Sequence, residues 1–348
     1  MKNFAQIQLN KQPFVFVGGI LLIIMLSLIG CGSNATSEAE NGADLEPVTF
    51  QMGWVHEYSA VGGYAAEENG RFAEQNLDVT INEGGFDEQG YIDPLVQVIN
   101  GEADFGVTSA VALLQSRAEG NPVVAIAAEI QRSPFALISL SDSNILRPSD
   151  LPGKTVAVTE DSSLALYNTL LSSQGINADD VELVPRTTFG IEPLLEGEVD
   201  ALGGWIVNEG ILVKEAGLEP TFILLSDYGI NNYTSLVFTT EEMINNNPDV
   251  VERFLRAYLQ GLQDVADDPN QAIEYILAYN DSLVAEEQDR RLQAWLPLMK
   301  PAGSTVGSMQ AETWQQIHDY LLEEAVLSEA ADLEAAYDMS FLENIYNK

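Results

Sequence analysis

Three side chains that suit a flat ligand follow the first apolar run of the chain. Trp54, His56 and Tyr58 stand within five residues, directly after the strand-like run 48–52. An indole that stacks on a planar ring contributes about 0.5–1.5 kcal/mol beyond area burial, and imidazole and phenol groups add hydrogen bonds. We therefore expect a ligand-binding lip here, extended by Tyr64; the alternative for Trp54 is packing in the core.

Two further places in the first half of the chain offer polar contacts. Thr108 and Ser109 precede a predicted helix, whose first backbone N–H groups favour a carbonyl or anionic oxygen. The same residues also suit a simple helix cap. Arg132 lies in a loop of a chain that has only 15 basic residues, and it is either a ligand contact or half of a surface ion pair.

The second half of the chain repeats this arrangement. Thr187 and Phe189 follow one strand-like run, and Phe189 is placed to cover the second face of a ring. Trp205, Asn208 and Glu209 follow the next run. A carboxylate accepts two hydrogen bonds from an amino-substituted ring, which makes Glu209 a candidate anchor. Because acidic residues are also favoured at helix N-termini, Glu209 has capping of its own helix as an alternative.

Alternating strands and helices must position these residues. From residue 48 onward, apolar runs of strand length alternate with helical runs, which predicts an α/β fold with mainly parallel sheets. The alternation breaks at 141–152 and again at 226–233, where Tyr233 ends the second break. The pattern predicts two α/β lobes that are joined by two crossings and enclose a cleft. Ligands of such sheets bind beyond the carboxyl ends of the strands.

The chain turns helical after the second break. Asn247 and Pro248 mark the start of one helix. The apolar stripe of this helix recurs at helical spacing and consists of Val251, Phe254, Leu255, Tyr258 and Leu262.

The first thirty residues have the pattern of an export signal. Lys2 and Lys11 precede an apolar run, 14–29, which is too short and wrongly flanked for a durable membrane anchor. The run ends in Leu-Ile-Gly-Cys, which resembles the lipobox of bacterial lipoproteins. We therefore expect a signal peptide at 1–30, lipidation of Cys31 and a flexible tether at 31–46. The alternative is a transmembrane anchor with a buried cysteine.

Charge and cysteine content exclude several functions. The formal net charge is −38, and such a surface repels nucleic acid and anionic headgroups. Cys31 is the only cysteine, so no intramolecular disulfide forms and no thiol is left for catalysis or for a metal. The chain has two histidines, so clustered His and Cys ligands are absent and we expect neither a metal nor a cofactor.

Six segments, taken in order, resemble one family of transport proteins. The segments are 53–56, 62–81, 101–109, 151–158, 197–202 and 239–257. They resemble the substrate-binding proteins of the thiamine-precursor and alkanesulfonate group over roughly residues 47–300.

The resemblance implies a periplasmic-binding-protein-like fold of type II. Lobe one would comprise 47–140 and 234–348, and lobe two 141–233. It implies a monomeric solute-binding component of an ABC importer, outside the cytoplasm and held on the membrane by its lipid. The partners would be a small heteroaromatic ligand and the importer's permease and ATPase subunits.

Two branches of this family remain open as the source of the ligand. The run 205–209 resembles the branch that binds a pyrimidine, in which a glutamate contacts the aminopyrimidine. The runs 53–58 and 131–136 resemble the branch proposed to bind riboflavin.

Two other functions are alternatives. A sulfonate or nitrate ligand would need the helix start at Ser109 and a nearby arginine. A pyridoxal-phosphate-dependent pyrimidine synthase shares the fold, but its cysteine-rich motif is absent and no lysine lies between Trp54 and Tyr64. We therefore expect a binding protein and not an enzyme.

Overall fold

The computed structural model describes residues 45–88, 90–159, 162–188 and 190–347. The predicted signal peptide, Cys31 and all but the end of the predicted tether lie outside the described residues. Glu46, the last residue of that tether, opens the first strand and pairs with Leu77. The first strand therefore begins one residue earlier than the predicted lobe.

The described residues form twelve strands. They are β1 Glu46–Gln51, β2 Leu77–Asn82, β3 Phe86–Asp87, β4 Gly90–Tyr91, β5 Phe105–Thr108, β6 Val123–Ala128, β7 Phe135–Leu140, β8 Thr155–Val158, β9 Glu182–Pro185, β10 Ala201–Trp205, β11 Pro220–Leu224 and β12 Leu236–Thr240.

The same residues form thirteen α-helices. They are α1 Val61–Glu68, α2 Arg71–Glu74, α3 Pro94–Ile99, α4 Ala110–Ala118, α5 Ser162–Ser173, α6 Glu192–Leu195, α7 Glu209–Glu215, α8 Glu241–Asn246, α9 Pro248–Asp267, α10 Pro269–Tyr279, α11 Ala285–Met299, α12 Ala311–Glu323 and α13 Ser340–Tyr346. None of these helices combines the length and the apolar run that a bilayer crossing requires.

Two five-stranded sheets form the centres of two α/β lobes, which confirms the predicted fold class. The first sheet has the order β2-β1-β5-β12-β6, and the second has the order β11-β7-β10-β8-β9. The prediction of mainly parallel sheets is wrong, because β12 runs antiparallel to both of its neighbours. Likewise, β7 runs antiparallel to β10 and β11. Each sheet is mixed because a strand that enters from a crossing runs against the strands beside it.

The predicted boundary between the lobes is misplaced by one strand. Residues 135–140 are predicted to belong to lobe one, but they form β7, which pairs with β10 and β11 in the second sheet. The chain therefore leaves the first lobe at 129–134. A fully apolar run fits either sheet, so its pattern does not say which sheet it joins.

Helix α9 contributes its apolar face to the core of the first lobe. All five residues of its predicted stripe are buried, and Phe254 stacks on Phe105 with ring centroids 3.9 Å apart. Helices α1 and α9 approach closely, since a Cβ atom on Gly261 would lie 2.3 Å from the carbonyl oxygen of Gly62. Glycine at 261 is therefore required for this contact.

The C-terminal segment covers the outer edge of the first sheet. The edge strand β6 would otherwise expose backbone groups that pair with other chains. Ala128 donates its N–H to the carbonyl of Gly307 at 2.9 Å, and Ala125 donates to Ala336 at 2.9 Å. These bonds close the edge.

The two crossings are hydrogen-bonded to each other. The N–H of Glu129 donates to the carbonyl of Ser235 at 3.0 Å. Asn231 accepts from the N–H of Ser133 at 2.8 Å and donates to the carbonyl of Gln131 at 2.8 Å. The crossings therefore form one paired connection between the lobes.

A buried carboxyl group lies at this connection. The side chain of Glu129 accepts hydrogen bonds from the hydroxyls of Ser235 and Tyr258. Burial raises the pKa of Glu129 to about 7 from its ordinary 4.5, and the Ser235 hydrogen bond opposes that rise. Folding therefore raises the affinity of Glu129 for its proton.

We expect Glu129→Gln to change how stability depends on pH. A folded pKa above the unfolded one stabilises the protein below about pH 4.5, and this contribution disappears as the pH rises through 7. The amide of the variant stays neutral at every pH. Between pH 5 and 8 the free energy of unfolding of the variant should therefore rise relative to that of the native protein, by at most about 3 kcal/mol. Denaturant unfolding at several pH values measures this difference.

The control is Glu119→Gln, on an exposed carboxylate of the same lobe. The difference in free energy of unfolding between this variant and the native protein should stay constant over this pH range. A Glu129→Gln difference that is equally flat would contradict the raised pKa.

Candidate functional site

The carboxyl ends of both sheets meet the paired crossings. In the first sheet, Thr108 and Ala128 both pair with Leu236, where the second crossing enters β12. In the second sheet, Trp205 pairs with Phe135, where the first crossing enters β7. The loops that follow β1, β2 and β5 in one lobe and β8, β9 and β10 in the other thus extend from edges that the crossings join. Strand ends of this kind carry the ligand sites of α/β proteins.

One hydrogen-bonded cluster links the two lobes directly. The hydroxyl of Tyr58 donates to Oδ1 of Asn208 at 3.2 Å, and Arg291 donates to the same oxygen at 2.6 Å. Tyr58 is buried. Burial raises its pKa, and Glu209 of the second lobe is near enough to add to the rise. Two residues that the sequence predicts for the site, Tyr58 and Asn208, thus lie together across the cleft.

Helix α11 supplies the remainder of this link, which the sequence analysis missed. Arg291 also pairs with Glu287 on its own helix at 2.9 Å. The neighbouring Arg290 reaches Glu215 on α7 of the second lobe at 2.7 Å. These arginines lie more than 70 residues from their partners in the second lobe, and no local pattern indicates that pairing.

Three exposed aromatic rings form a second cluster on the first lobe. Trp54 meets Phe86 edge to face with ring centroids 5.9 Å apart, and Phe86 lies 5.5 Å from Tyr91. Their exposed fractions are 45%, 69% and 48% in chain order. Trp54 therefore is not a core residue, and its ring is available for stacking.

The short hairpin of β3 and β4 supplies two of these rings. The hydroxyl of Tyr91 donates to the carbonyl of Gly53 at 3.0 Å, which fixes the hairpin against the loop after β1. Gly84 permits the approach, because a Cβ atom there would lie 2.3 Å from the carbonyl oxygen of Met52. The sequence analysis missed Phe86 and Tyr91. Their spacing in the glycine-rich run 84–91 was the available signal.

His56, in the loop after β1, forms a separate contact with Tyr64 on α1. A ring nitrogen of His56 lies 2.6 Å from the hydroxyl of Tyr64. Tyr64 is fully buried and stacks on Tyr279 with ring centroids 4.0 Å apart. Partial burial lowers the pKa of His56, and Glu83 opposes the shift. This shift favours the neutral form of His56, and Tyr64 packs in the core rather than on the cleft surface.

Glu209 is engaged by the protein itself. Its Oε1 accepts from Arg186 at 2.8 Å, and its Oε2 accepts from the backbone N–H of Trp205 at 2.8 Å. Both Glu209 and Arg186 are buried, and Arg186 also donates to the carbonyl of Gly203 at 2.6 Å. A buried pair of this kind is costly to break. In this arrangement Glu209 fixes the loop between β10 and α7, and both of its carboxylate oxygens already accept hydrogen bonds from the protein.

The other predicted polar residues have structural partners or lie apart. Ser109 accepts from the N–H of Ala112 at 3.2 Å and so caps α4, next to a partly exposed Thr108. Arg132 is in a surface ion pair with Asp227 at 2.6 Å. These are the alternatives that the sequence left open for Ser109 and Arg132.

Four predicted residues remain. Trp205 is partly buried and packs against the apolar core. Tyr233 is buried, and its hydroxyl accepts from the N–H of Gln310 at 2.7 Å, so it holds the C-terminal segment. It borders a cavity of about 460 Å³ behind the crossings. Thr187 is exposed. Phe189 lies outside the described residues.

A larger cavity lies at the carboxyl ends of β1 and β2. Its volume is about 510 Å³, within the usual range of small-molecule sites. The lining is polar and includes no basic side chain; it consists of Gln51, Asn82, Glu83, Asp87, Gly90, Tyr91, Ile92, Asp93, Val96 and Gln97. Tyr91 belongs both to this cavity and to the exposed aromatic cluster.

Comparison with known sequences identifies the family. The family profile described as NMT1/THI5 like matches residues 58–272, which is more than half of the chain. The chain belongs to the NMT1/THI5-like family. The resemblance found in the sequence is thereby confirmed.

Relatives of this NMT1/THI5-like protein include binding proteins and synthases. A formylaminopyrimidine-binding protein from Halalkalibacterium halodurans is 27% identical over 331 residues, 89% of this chain and 96% of the relative. Riboflavin-binding protein RibY from Chloroflexus aurantiacus is 24% identical over 340 residues, 93% and 96% of the two chains. A 4-amino-5-hydroxymethyl-2-methylpyrimidine phosphate synthase from Schizosaccharomyces pombe is 23% identical over 243 residues, 66% and 68%.

A solved structure confirms the fold of this NMT1/THI5-like protein. The periplasmic aliphatic sulphonate-binding protein SsuA from Escherichia coli superposes with a TM-score of 0.66 at 17% identity. The match covers 87% of this chain and 99% of SsuA. The predicted periplasmic-binding-protein-like fold is therefore correct.

We expect Asn208→Ala to favour separation of the lobes. The change removes the acceptor shared by Tyr58 and Arg291, and a hydrogen bond to a charged group contributes about 1.5–3 kcal/mol. The ratio of closed to open molecules should fall about tenfold or more, and the radius of gyration in small-angle X-ray scattering should rise.

The matched control is Asn177→Ala, which removes the same side chain from a loop cap elsewhere in the second lobe. It should leave the scattering unchanged. If Asn208→Ala also leaves the scattering unchanged, the cluster does not hold the lobes together.

Proposed function

We propose that this chain is the solute-binding component of an ABC importer and captures a heteroaromatic vitamin or vitamin precursor between its lobes. The observation that carries the proposal is the exposed ring cluster of Trp54, Phe86 and Tyr91, which lies at the strand ends where such folds bind ligands. Relatives matched over almost their whole length are named as binding proteins for a formylaminopyrimidine and for riboflavin.

The contacts across the cleft support a binding cycle. Tyr58 and Arg291 of the first lobe both donate hydrogen bonds to Asn208 of the second. A ligand that contacts both lobes binds the closed form better than the open one and therefore shifts the population towards it. In our proposal the closed form docks on the permease, as a monomer outside the cytoplasm.

A sulfonate or nitrate ligand has less support. The hydroxyl of Ser109 caps α4, and Arg132 is paired with Asp227. The cavity beside the ring cluster carries carboxylates and no cation in its lining. An anionic ligand would be repelled there.

Catalysis has support from relatives that are named as synthases. The chain lacks the cysteine-rich motif, its single cysteine is Cys31, and no lysine lies between Trp54 and Tyr64. Formation of an aldimine absorbance band with added pyridoxal phosphate would favour the synthase reading over ours.

The binding proposal predicts that one of two compounds binds to the protein. In calorimetric titrations, riboflavin or formylaminopyrimidine should bind, and taurine should not compete. Trp54→Ala should weaken binding about tenfold, because it removes a stacking ring together with its buried area. Tyr346→Ala, at an equally exposed ring on α13, should not change the affinity. Absence of heat with both compounds would rule out this ligand assignment.

We further propose that lipidation of Cys31 anchors the protein to the membrane, and this is tested separately. Cys31→Ser removes the predicted lipid acceptor, and stable membrane attachment needs such acyl chains. The variant should move from the detergent phase to the aqueous phase on partitioning of cell extracts, and it should lose incorporation of labelled fatty acid. Retention of both by the variant would show that the anchor is a different one.

A further inference from the structure

The cavity at the ends of β1 and β2 contains a buried side chain with an unused acceptor. Gln51 is 3% exposed and borders this cavity. Its amide nitrogen donates to the carbonyls of Met52 at 3.2 Å and Glu83 at 2.9 Å. Within the part of the chain that the structure describes, its Oε1 has no hydrogen-bond partner. Since Gln51 lines the cavity, this amide oxygen can accept a hydrogen bond from a donor group of a ligand.

Other polar groups of the lining are also available. The side chains of Asn82 and Gln97 form no hydrogen bond with the described residues. The carboxylate of Glu83 uses one oxygen for the N–H of His56, at 3.1 Å. The carboxylate of Asp93 uses one oxygen for the N–H of Leu95, at 2.9 Å. The second oxygen of each can accept further hydrogen bonds.

This set of groups suits hydroxyls better than a cation or an anion. Carboxylates without a basic neighbour in the lining repel an anion. An ammonium group only donates, so it would leave the amide N–H donors of Asn82 and Gln97 without a partner. A hydroxyl both donates and accepts, and it therefore satisfies amides and carboxylates alike. A short chain of hydroxyls matches the mixture.

The cavity adjoins the exposed rings. Tyr91 lines the cavity and lies 5.5 Å from Phe86, which in turn meets Trp54. We propose that the cavity bounded by Gln51, Asn82 and Gln97 receives a polyhydroxyl tail of the ligand whose planar ring stacks on the Trp54–Phe86 cluster. The inference rests on the proposed function and deepens it. Of the two ligand classes, riboflavin carries such a tail and the aminopyrimidine does not.

Four compounds test this proposal by calorimetry on the intact protein. They are riboflavin, lumiflavin (the same ring with a methyl group for the tail), flavin mononucleotide (the tail ending in phosphate) and formylaminopyrimidine. Riboflavin should bind at least tenfold more tightly than lumiflavin, which lacks the hydroxyls. Riboflavin should also bind at least tenfold more tightly than flavin mononucleotide, because the carboxylates repel the phosphate.

Variants of the lining separate the tail from the ring. Gln97→Leu should weaken the binding of riboflavin about tenfold and leave the binding of lumiflavin unchanged. Gln174→Leu, on the second lobe, is the matched control. The double variant Glu83→Gln, Asp87→Asn should reduce the discrimination against flavin mononucleotide. Asp142→Asn, at an exposed site of the second lobe, should not.

The outcomes distinguish this inference from the function on which it rests. Equal affinities for riboflavin and lumiflavin, or binding of formylaminopyrimidine without any flavin, would overturn the tail site and leave the solute-binding function standing. Failure of all four compounds to bind would overturn the ligand assignment itself, and the tail site with it.

Discussion

The pairing of the two crossings is the constraint on which the rest of the structure depends. Glu129 of one crossing and Ser235 of the other share backbone and side-chain hydrogen bonds, and Tyr258 of α9 binds the same carboxylate. Because each crossing enters its sheet at the carboxyl ends of the strands, this pairing sets where both strand-end edges lie. The loops that carry Trp54 and Asn208 thus belong to one cleft.

Two arginines near the strand ends are already paired with carboxylates of the protein. Arg186 and Glu209 neutralise each other in the second lobe, and Arg132 meets Asp227 at the surface. A buried ion pair keeps its partners in place rather than offering them to a ligand. Beside the cavity of the first lobe, the described residues offer exposed rings, carboxylate oxygens and the side-chain amides of Asn82 and Gln97.

The comparisons show how one fold carries different ligands. A sulphonate-binding protein shares the fold at 17% identity, and relatives at 24–27% identity are named for a pyrimidine and for riboflavin. In a shared fold, buried elements supply the scaffold and surface loops at its ends supply the variable contacts. Here the loop after β2 forms a hairpin, and its Tyr91 borders a polar cavity.

The sequence by itself determined the fold class and the approximate positions of the strands and helices. Alternating apolar runs and the stripe on α9 predict the elements, since burial depends on local periodicity. Only the tertiary structure decided which sheet β7 joins, that Arg186 and not a ligand satisfies Glu209, and that Arg291 meets Asn208. These outcomes depend on residues far apart in the chain, and a local pattern contains no information about which distant group will satisfy a given polar atom.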